Sequence, residues 1–223
     1  MINAATNRIF PLAVTGITGV VAALDGMALV EPRTLTDLVL APAQRADLIV
    51  DITGPVGFDM LSRQGAFRLA DLDIDGTNSE RQKNPIIALA PHGLPAPSAP
   101  TQHLTLTMMG GAMARGHDGD NIWAFNNVSD LPQEPFGSFS RGETVRMTLV
   151  NETAFPHGIH LHGHHFFEVG DDDALGDLRD TTLVEAGARR DIICVFDNPG
   201  KWLLHCHMLS HAVGGMRTWV TVA

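Results

Sequence analysis

Trp202-Leu203-Leu204-His205-Cys206-His207-Met208-Leu209-Ser210-His211, closed by Met216, is the stretch on which the reading of this chain turns. Lys201 to His207 reads as a strand, and side chains alternate across a strand, so Cys206 points to one face while His205 and His207 point to the other. Cys206, His211 and Met216 together offer a thiolate, an imidazole and a thioether, the soft donor set that copper takes in blue electron-transfer centres. That set needs a second imidazole.

Phe155-Pro156-His157-Gly158-Ile159-His160-Leu161-His162-Gly163-His164-His165 can supply it, because a lone histidine there precedes an alternating pair by three residues. If His157 joins Cys206, His211 and Met216, then His160 and His162 fall with His205 and His207 on the opposite side, as a cluster of four imidazoles. One peptide unit then connects two metal sites. Zinc is the chemical rival, since it takes Cys and His at similar distances. The methionine argues for copper, because thioether is soft and rare around structural zinc. Core filling would not explain so many histidines and a cysteine at these offsets.

On these two motifs, His-x-x-His-x-His and then His-Cys-His-x-x-x-His with a later Met, the chain resembles the multicopper oxidases, the laccase-like family, in their third cupredoxin domain. Ile2-Asn3-Ala4-Ala5 and Leu38-Val39-Leu40-Ala41-Pro42 look like the family's second domain, so the resemblance covers most of the chain. Asp180-Thr181, Asn198-Pro199-Gly200 and Met108-Met109-Gly110-Gly111 are similar to a bacterial branch. The resemblance makes His157, Cys206, His211 and Met216 the type 1 copper ligands, His160 a type 2 ligand, and His162, His205 and His207 type 3 ligands. It also makes Cys206, His205 and His207 the path by which electrons pass from a donor to dioxygen, which is reduced to water. Phenols, aromatic amines and low-valent metal ions are the donors it implies, and periplasmic or secreted is the location.

Two departures from the family pattern bear on that expectation. The family's first domain, which supplies two further His-x-His pairs, has no counterpart in this sequence, so the chain offers four of the eight histidines of a trinuclear cluster. A second copy across a two-fold axis, a separate polypeptide or an N-terminal half would have to complete it. Ser210 stands where many members place a Glu that helps deliver protons. The alternative reading is therefore a type 1 electron-transfer domain, or an inactive or truncated fragment, without oxygen reduction.

Frequent Gly and Pro with short alternating runs favour an all-β fold, which the resemblance refines to cupredoxin-like Greek-key sandwich domains, one partial and one complete. The 223 residues suffice for two domains of the usual ~100 to 150 residues. The formal charge of −10 argues against nucleic acid and anionic membranes and favours cationic substrates or metal ions. No stretch reaches the ~20 apolar residues of a membrane span. Ile9 to Ala23 superficially resembles a secretory signal, but Pro11, two glycines and two threonines interrupt it; any signal is expected ahead of the missing part.

Arg8 to Val14, Gly19 to Leu24, Thr34 to Ala41, Arg45 to Ile52 and Gly57 to Leu61 read as strands, with Asp25-Gly26 as a hairpin turn. Residues 1–75 thus read as the later part of one domain with an exposed edge that needs a partner, and residues 76–100 as a linker. Residues 101–223 hold eight expected strands: His103 to Met108, Asn121 to Phe125, Glu143 to Asn151, Gly158 to Val169, Thr181 to Val184, Arg190 to Phe196, Lys201 to His207 and Arg217 to Val222. Two cysteines are too few for a disulfide framework. Cys194 reads as a core thiol on a strand paired as a hairpin with that of Cys206, and a disulfide between them in metal-free protein stays open. His92, His103 and His117 lack a paired ligand and receive no role. His164 and His165 are read as supports rather than ligands. Met108, Met109 and Met113 are read as packing before a soft-metal patch, and Asp171-Asp172-Asp173 as a solvated turn.

Overall fold

The computed structural model describes residues 1–75, 88–111 and 122–223. The first sheet contains β1 (Phe10–Leu24), β2 (Met27–Thr34), β3 (Leu38–Leu40), β4 (Ala46–Ser62) and β5 (Gly65–Leu72), in the order β2-β1-β4-β5 with β3 also on β1. Leu12, Val21, Leu24, Leu29, Leu40 and Ala46 make its small core. The turn at Asp25-Gly26 is as expected: Leu24 pairs with Met27, and both turn residues have positive φ, the geometry that suits the twist of a two-residue hairpin.

Two pairs of expected short strands turn out to be two long ones. β1 runs through Gly16, where φ is +74° and the register to β4 shifts between Thr15 and Ile17. A Cβ at Gly16 would lie 2.0 Å from the carbonyl oxygen of Pro55, so glycine here makes a bulge that lets both strands continue past each other. β5 was not foreseen, and every one of its residues is exposed, so it carries none of the alternation that marks a half-buried strand.

The second part of the chain contains β6 (Gln102–Gly110), β7 (Trp123–Phe125), β8 (Gly137–Phe139), β9 (Glu143–Asn151), β10 (His157–Leu161), β11 (Phe166–Val169), β12 (Leu175–Arg179), β13 (Thr181–Val184), β14 (Arg189–Phe196), β15 (Gly200–Cys206), α1 (Leu209–Val213) and β16 (Arg217–Val222). They form a five-stranded sheet, β13-β10-β15-β16-β8, and a six-stranded sheet, β12-β11-β14-β9-β6-β7. Between them lies one apolar core that includes Met147, Leu149, Ile159, Leu161, Phe166, Ile192, Phe196, Leu204 and Val220. Val145, Met147 and Leu149 face that core while Arg146 and Thr148 do not, as their alternation requires. The molecule is nearly all β, with cupredoxin-like sheets as expected.

Two expectations are corrected here. Gly158 to Val169 is not one strand: β10 and β11 belong to different sheets, and the chain turns the corner at Gly163, where φ is +70° and a Cβ would lie 2.4 Å from the Trp202 ring. Cys194 and Cys206 are not on a hairpin either. Asn198-Pro199-Gly200 carries the chain from one sheet to the other, so β14 pairs with β9 and β11 while β15 pairs with β10 and β16. Both cysteines are free and buried. A turn signal marks where a strand stops, and packing decides whether the next strand pairs with it or crosses the core. Of the expected linker, residues 76–87 lie outside the described residues, as do His117, Met113 and Asn121, while residues 88–100 form no helix or strand.

The two parts meet on polar contacts. Arg45 donates from Nη2 to Asp180 Oδ2 at 2.7 Å and from Nη1 to Oδ1 at 3.3 Å, and Arg179 Nε donates to Asp25 Oδ2 at 2.9 Å. Gln44 Nε2 donates to the Thr181 carbonyl at 2.9 Å. Asn7 Oδ1 accepts from both the backbone N–H and the hydroxyl of Ser210, in α1.

Candidate metal centre

β10 and β15 run antiparallel with Ile159 opposite Cys206 and His160 opposite His205. Residues directly across an antiparallel pair share a face, so this register alone divides the motif residues into two groups. On the inner face Cys206 meets His157, whose Nδ1 is 3.6 Å from the Cys206 sulfur. After β15 the chain makes the single turn of α1, which brings His211 Nδ1 to 3.7 Å from the same sulfur and 3.0 Å from His157 Nδ1. Met216 follows, fully buried, and its carbonyl accepts the Cys206 N–H at 3.1 Å.

A triangle with these three edges has its centre about 2.0 Å from each corner, a bonding distance for a metal held by imidazole and close to one for thiolate. Among the described residues this is the one group of His, Cys, Asp and Glu whose ligand atoms draw so close together. Two imidazoles and a thiolate in a buried triangle, with a methionine next along, suit the trigonal His2Cys arrangement of copper better than the four strong ligands of structural zinc. Burial, with repulsion from His211, pushes His157 down to about 3, and burial pushes His211 down to about 4. Both rings are therefore neutral, with lone pairs to offer. Burial also pushes the Cys206 thiol up to about 12, against backbone hydrogen bonds from Met208 and Gly158, so a metal entering here must displace that proton.

On the outer face stand the four remaining imidazoles. Ring centroids are 4.8 Å apart for His160 and His162, 5.1 Å for His162 and His205, 5.4 Å for His205 and His207, and 5.6 Å for His160 and His207. His205 is buried, His160 and His207 are half-buried, and His162 is exposed, so the ring of imidazoles opens outward. His205 Nδ1 lies 2.8 Å from the Cys206 carbonyl, an acceptor, which leaves Nε2 free to face His162 Nε2 at 3.0 Å. His160 Nδ1 is 2.9 Å from the Asp180 carbonyl and 3.0 Å from the Thr181 hydroxyl. Burial, partly countered by the bond to Cys206, pushes His205 down to about 4.

His164 sits outside both groups: its Nδ1 is 3.2 Å from the His162 carbonyl, the Asn198 N–H donates to its Nε2 at 3.4 Å, and its ring packs on Phe196. His165 Nε2 is 3.9 Å from Asp180 Oδ2. His92 packs on Phe167, and Met108 is fully buried core. The Asp171 to Asp173 turn is exposed, with Asp173 paired to Arg146.

Sequence reasoning missed several residues that shape the centre. Trp123 packs on His211 with ring centroids 4.2 Å apart and meets His157 edge-on at 5.2 Å, yet it enters from β7, more than thirty residues before the first motif. Asn151 continues the buried phase of Val145, Met147 and Leu149 along β9, so a polar side chain there was a signal available in the sequence, whereas Thr153 lies beyond the strand and gave none. Arg45 carried no such signal, for its partner Asp180 is 135 residues away.

The family model for multicopper oxidases matches residues 98–223, which is more than half of the chain and contains both motifs. The chain belongs to the multicopper oxidases. Copper is accordingly the metal of this multicopper oxidase chain, in agreement with its His157-Cys206-His211 group. Among curated relatives it is 29% identical to the multicopper oxidase MmcO of Mycobacterium tuberculosis, over 98% of this chain and 44% of that protein. Among solved structures it is 49% identical to Lac15 from a marine microbial metagenome, with a TM-score of 0.83 over 99% of this chain and 54% of that one. A metallo-oxidase from Campylobacter jejuni shares the fold at a TM-score of 0.78 and 20% identity, covering 99% of this chain and 52% of that one. The chain thus spans about half the length of the relatives it matches.

Proposed function

We propose that this chain carries the electron-accepting copper site and half of the oxygen-reducing copper cluster of a laccase-like oxidase. In this reading His157, Cys206 and His211 would hold one copper with the Met216 thioether as a weaker donor, His160 would be a type 2 ligand, and His162, His205 and His207 would be type 3 ligands. Copper at the two places supplies one-electron redox chemistry and the four-electron reduction of dioxygen to water. The chain's own residues exclude water from the Cys206 side, since Cys206, His157 and Met216 are fully buried, and they join the two sides through the shortest covalent route available. That route is the peptide backbone on either side of Cys206, shortened on one side by the contact between His205 Nδ1 and the Cys206 carbonyl.

The observation that carries the reading is the buried triangle of His157, Cys206 and His211 back to back with the outward ring of four imidazoles. The open ring needs four more imidazoles, from a second copy of this chain or from the length of the relatives that this chain does not span. The electron donor is a phenol, an aromatic amine or a low-valent metal ion, and the location is periplasmic or secreted. We include in the proposal two cupredoxin-like units, residues 1–75 and 101–223, joined by residues 76–100.

A second reading, a type 1 electron-transfer site without oxygen chemistry, is favoured by one feature: the closed group lies wholly within this chain whereas His162 is exposed at the rim of the ring. Copper content, visible spectrum and solution mass on one copper-loaded sample separate the two. About two and a half coppers per chain in a dimer, with oxygen consumption, supports a cluster shared between copies. About one copper per chain with a blue band and no oxygen consumption supports the electron-transfer reading for the isolated chain. Copper-loaded protein with no blue band defeats both.

A further inference from the structure

Asn151 ends β9 and Thr153 stands in the short bend that leads into His157, and both are almost completely buried, at 1% and 6% exposure. The Asn151 amide nitrogen faces three carbonyl oxygens, those of Phe155 at 2.7 Å, Glu185 at 2.9 Å and Val184 at 3.1 Å. Carbonyls only accept, so the amide cannot be turned the other way, and its oxygen must face Thr153. That oxygen accepts the Thr153 N–H at 2.9 Å and lies 2.8 Å from the Thr153 hydroxyl.

A hydroxyl has one proton. The Thr153 hydroxyl is surrounded by the Asn151 amide oxygen and the Phe155 carbonyl at 3.0 Å, both acceptors, and it already receives the Phe155 N–H at 3.2 Å. Its proton is therefore taken by one of those two oxygens. Its remaining neighbour, His157 Nε2 at 2.7 Å, must come as a donor. With the proton on Nε2, the neutral ring presents a bare lone pair on Nδ1, the atom that faces the Cys206 sulfur and His211. Turning the Thr153 proton toward His157 instead would leave the hydroxyl oxygen against both acceptors with no hydrogen between them, and would make one hydrogen bond where the other arrangement makes two.

We infer that Asn151 and Thr153 are positioning residues for the closed copper site: by fixing the proton of His157 on Nε2, they hold its Nδ1 ready as a ligand before any metal arrives. The chain of command runs from a buried amide, whose orientation is set by three carbonyls, through one hydroxyl to one imidazole. The inference rests on the assignment of His157 as a copper ligand only for its consequence; the tautomer stands on the hydrogen bonds alone.

The test uses the whole chain, metal-free and reduced, with the ring nitrogens of His157 read by long-range proton–nitrogen NMR. The wild type and Thr153→Ser, which keeps a hydroxyl, are expected to show the proton on Nε2. Thr153→Val, of matching size without the hydroxyl, is expected to lose that preference and to bind copper at the closed site about 10- to 100-fold more weakly, with Thr153→Ser near the wild type. A His157 proton on Nδ1 in the wild type overturns the inference, and so does a folded Thr153→Val that keeps both the tautomer and the wild-type copper affinity. A wild type that takes up no blue copper would defeat the copper assignment instead, while its NMR spectrum would still decide whether Thr153 directs the ring.

Discussion

The two faces of the β10–β15 pair hold the same kind of side chain in different states of completion. On the inner face two imidazoles and a cysteine sulfur converge within 4.8 Å and are covered by Trp123 and the core. On the outer face four imidazoles stand about one ring apart, one of them exposed, around a space that opens away from the sandwich. Alternation along two strands created both groups, but only the inner one is closed by elements that follow it in the chain, α1 and the approach to β16. A strand pair can aim ligands to either side; a site becomes complete only where the rest of the fold comes round to meet them.

Cys206 is the hinge between the two faces, since it belongs to the inner one and is bonded on either side to a residue of the outer one. Cys206→Ser is expected to abolish the blue absorption completely while leaving copper bound by the outer imidazoles; a surviving blue band would remove Cys206 from the inner site. Changing His160 and His162 together to Ala should do the reverse, keeping the colour and eliminating oxygen consumption of the copper-loaded protein. Oxidase activity retained in that double variant would sink the outer assignment.

Acid should separate the faces less completely. His157, His211 and His205 have folded values pushed down from 6.5 to about 3, 4 and 4, so below 6.5 the unfolded chain binds more protons than the folded one. Metal-free protein should therefore lose stability progressively as pH falls from about 6.5 toward about 3, and above that window these groups contribute no pH dependence. Urea midpoints that stay flat across it would show that the three rings are not held neutral by burial. Copper, which requires the same rings unprotonated, should be released over the same range.

The smallest effect concerns the contact between the two parts of the molecule. Arg45 secures Asp180 next to His160, and its side chain is about one-third exposed, so Arg45→Met should cost about 2 kcal/mol, less than the ~3–5 kcal/mol of a fully buried pair. In a chain of this size that lowers the melting temperature by roughly 4–8 °C. Since Arg45 touches the outer face only, the blue band should be unchanged, and a shifted band would mean that the faces are more tightly coupled than their geometry implies.

Much of the candidate site was legible because its His and Cys residues lie in two short segments with strong local periodicity. His157, His160 and His162 sort correctly by strand alternation, as do His205, Cys206 and His207, and β9, β13 and β16 begin and end where the pattern of Val, Met, Thr and Leu changes. Gly200 was visible as a break while Gly163 was read through as part of one strand, and whether the chain pairs or crosses at such a point depends on the Trp202 ring and the opposing sheet, which local sequence does not contain. β5 was hidden because it buries nothing on either face.

Residue type and a period of two were enough to mark the clustered His and Cys residues, their two-faced arrangement and the all-β class. The tertiary structure alone decided that His157 and His211, 54 residues apart, meet at 3.0 Å, that Trp123 covers them, that Arg45 reaches Asp180, and that Cys194 and Cys206 sit in opposite sheets. Those facts are set by how two sheets pack across a shared core, and packing is a property of surfaces brought together from distant parts of the chain.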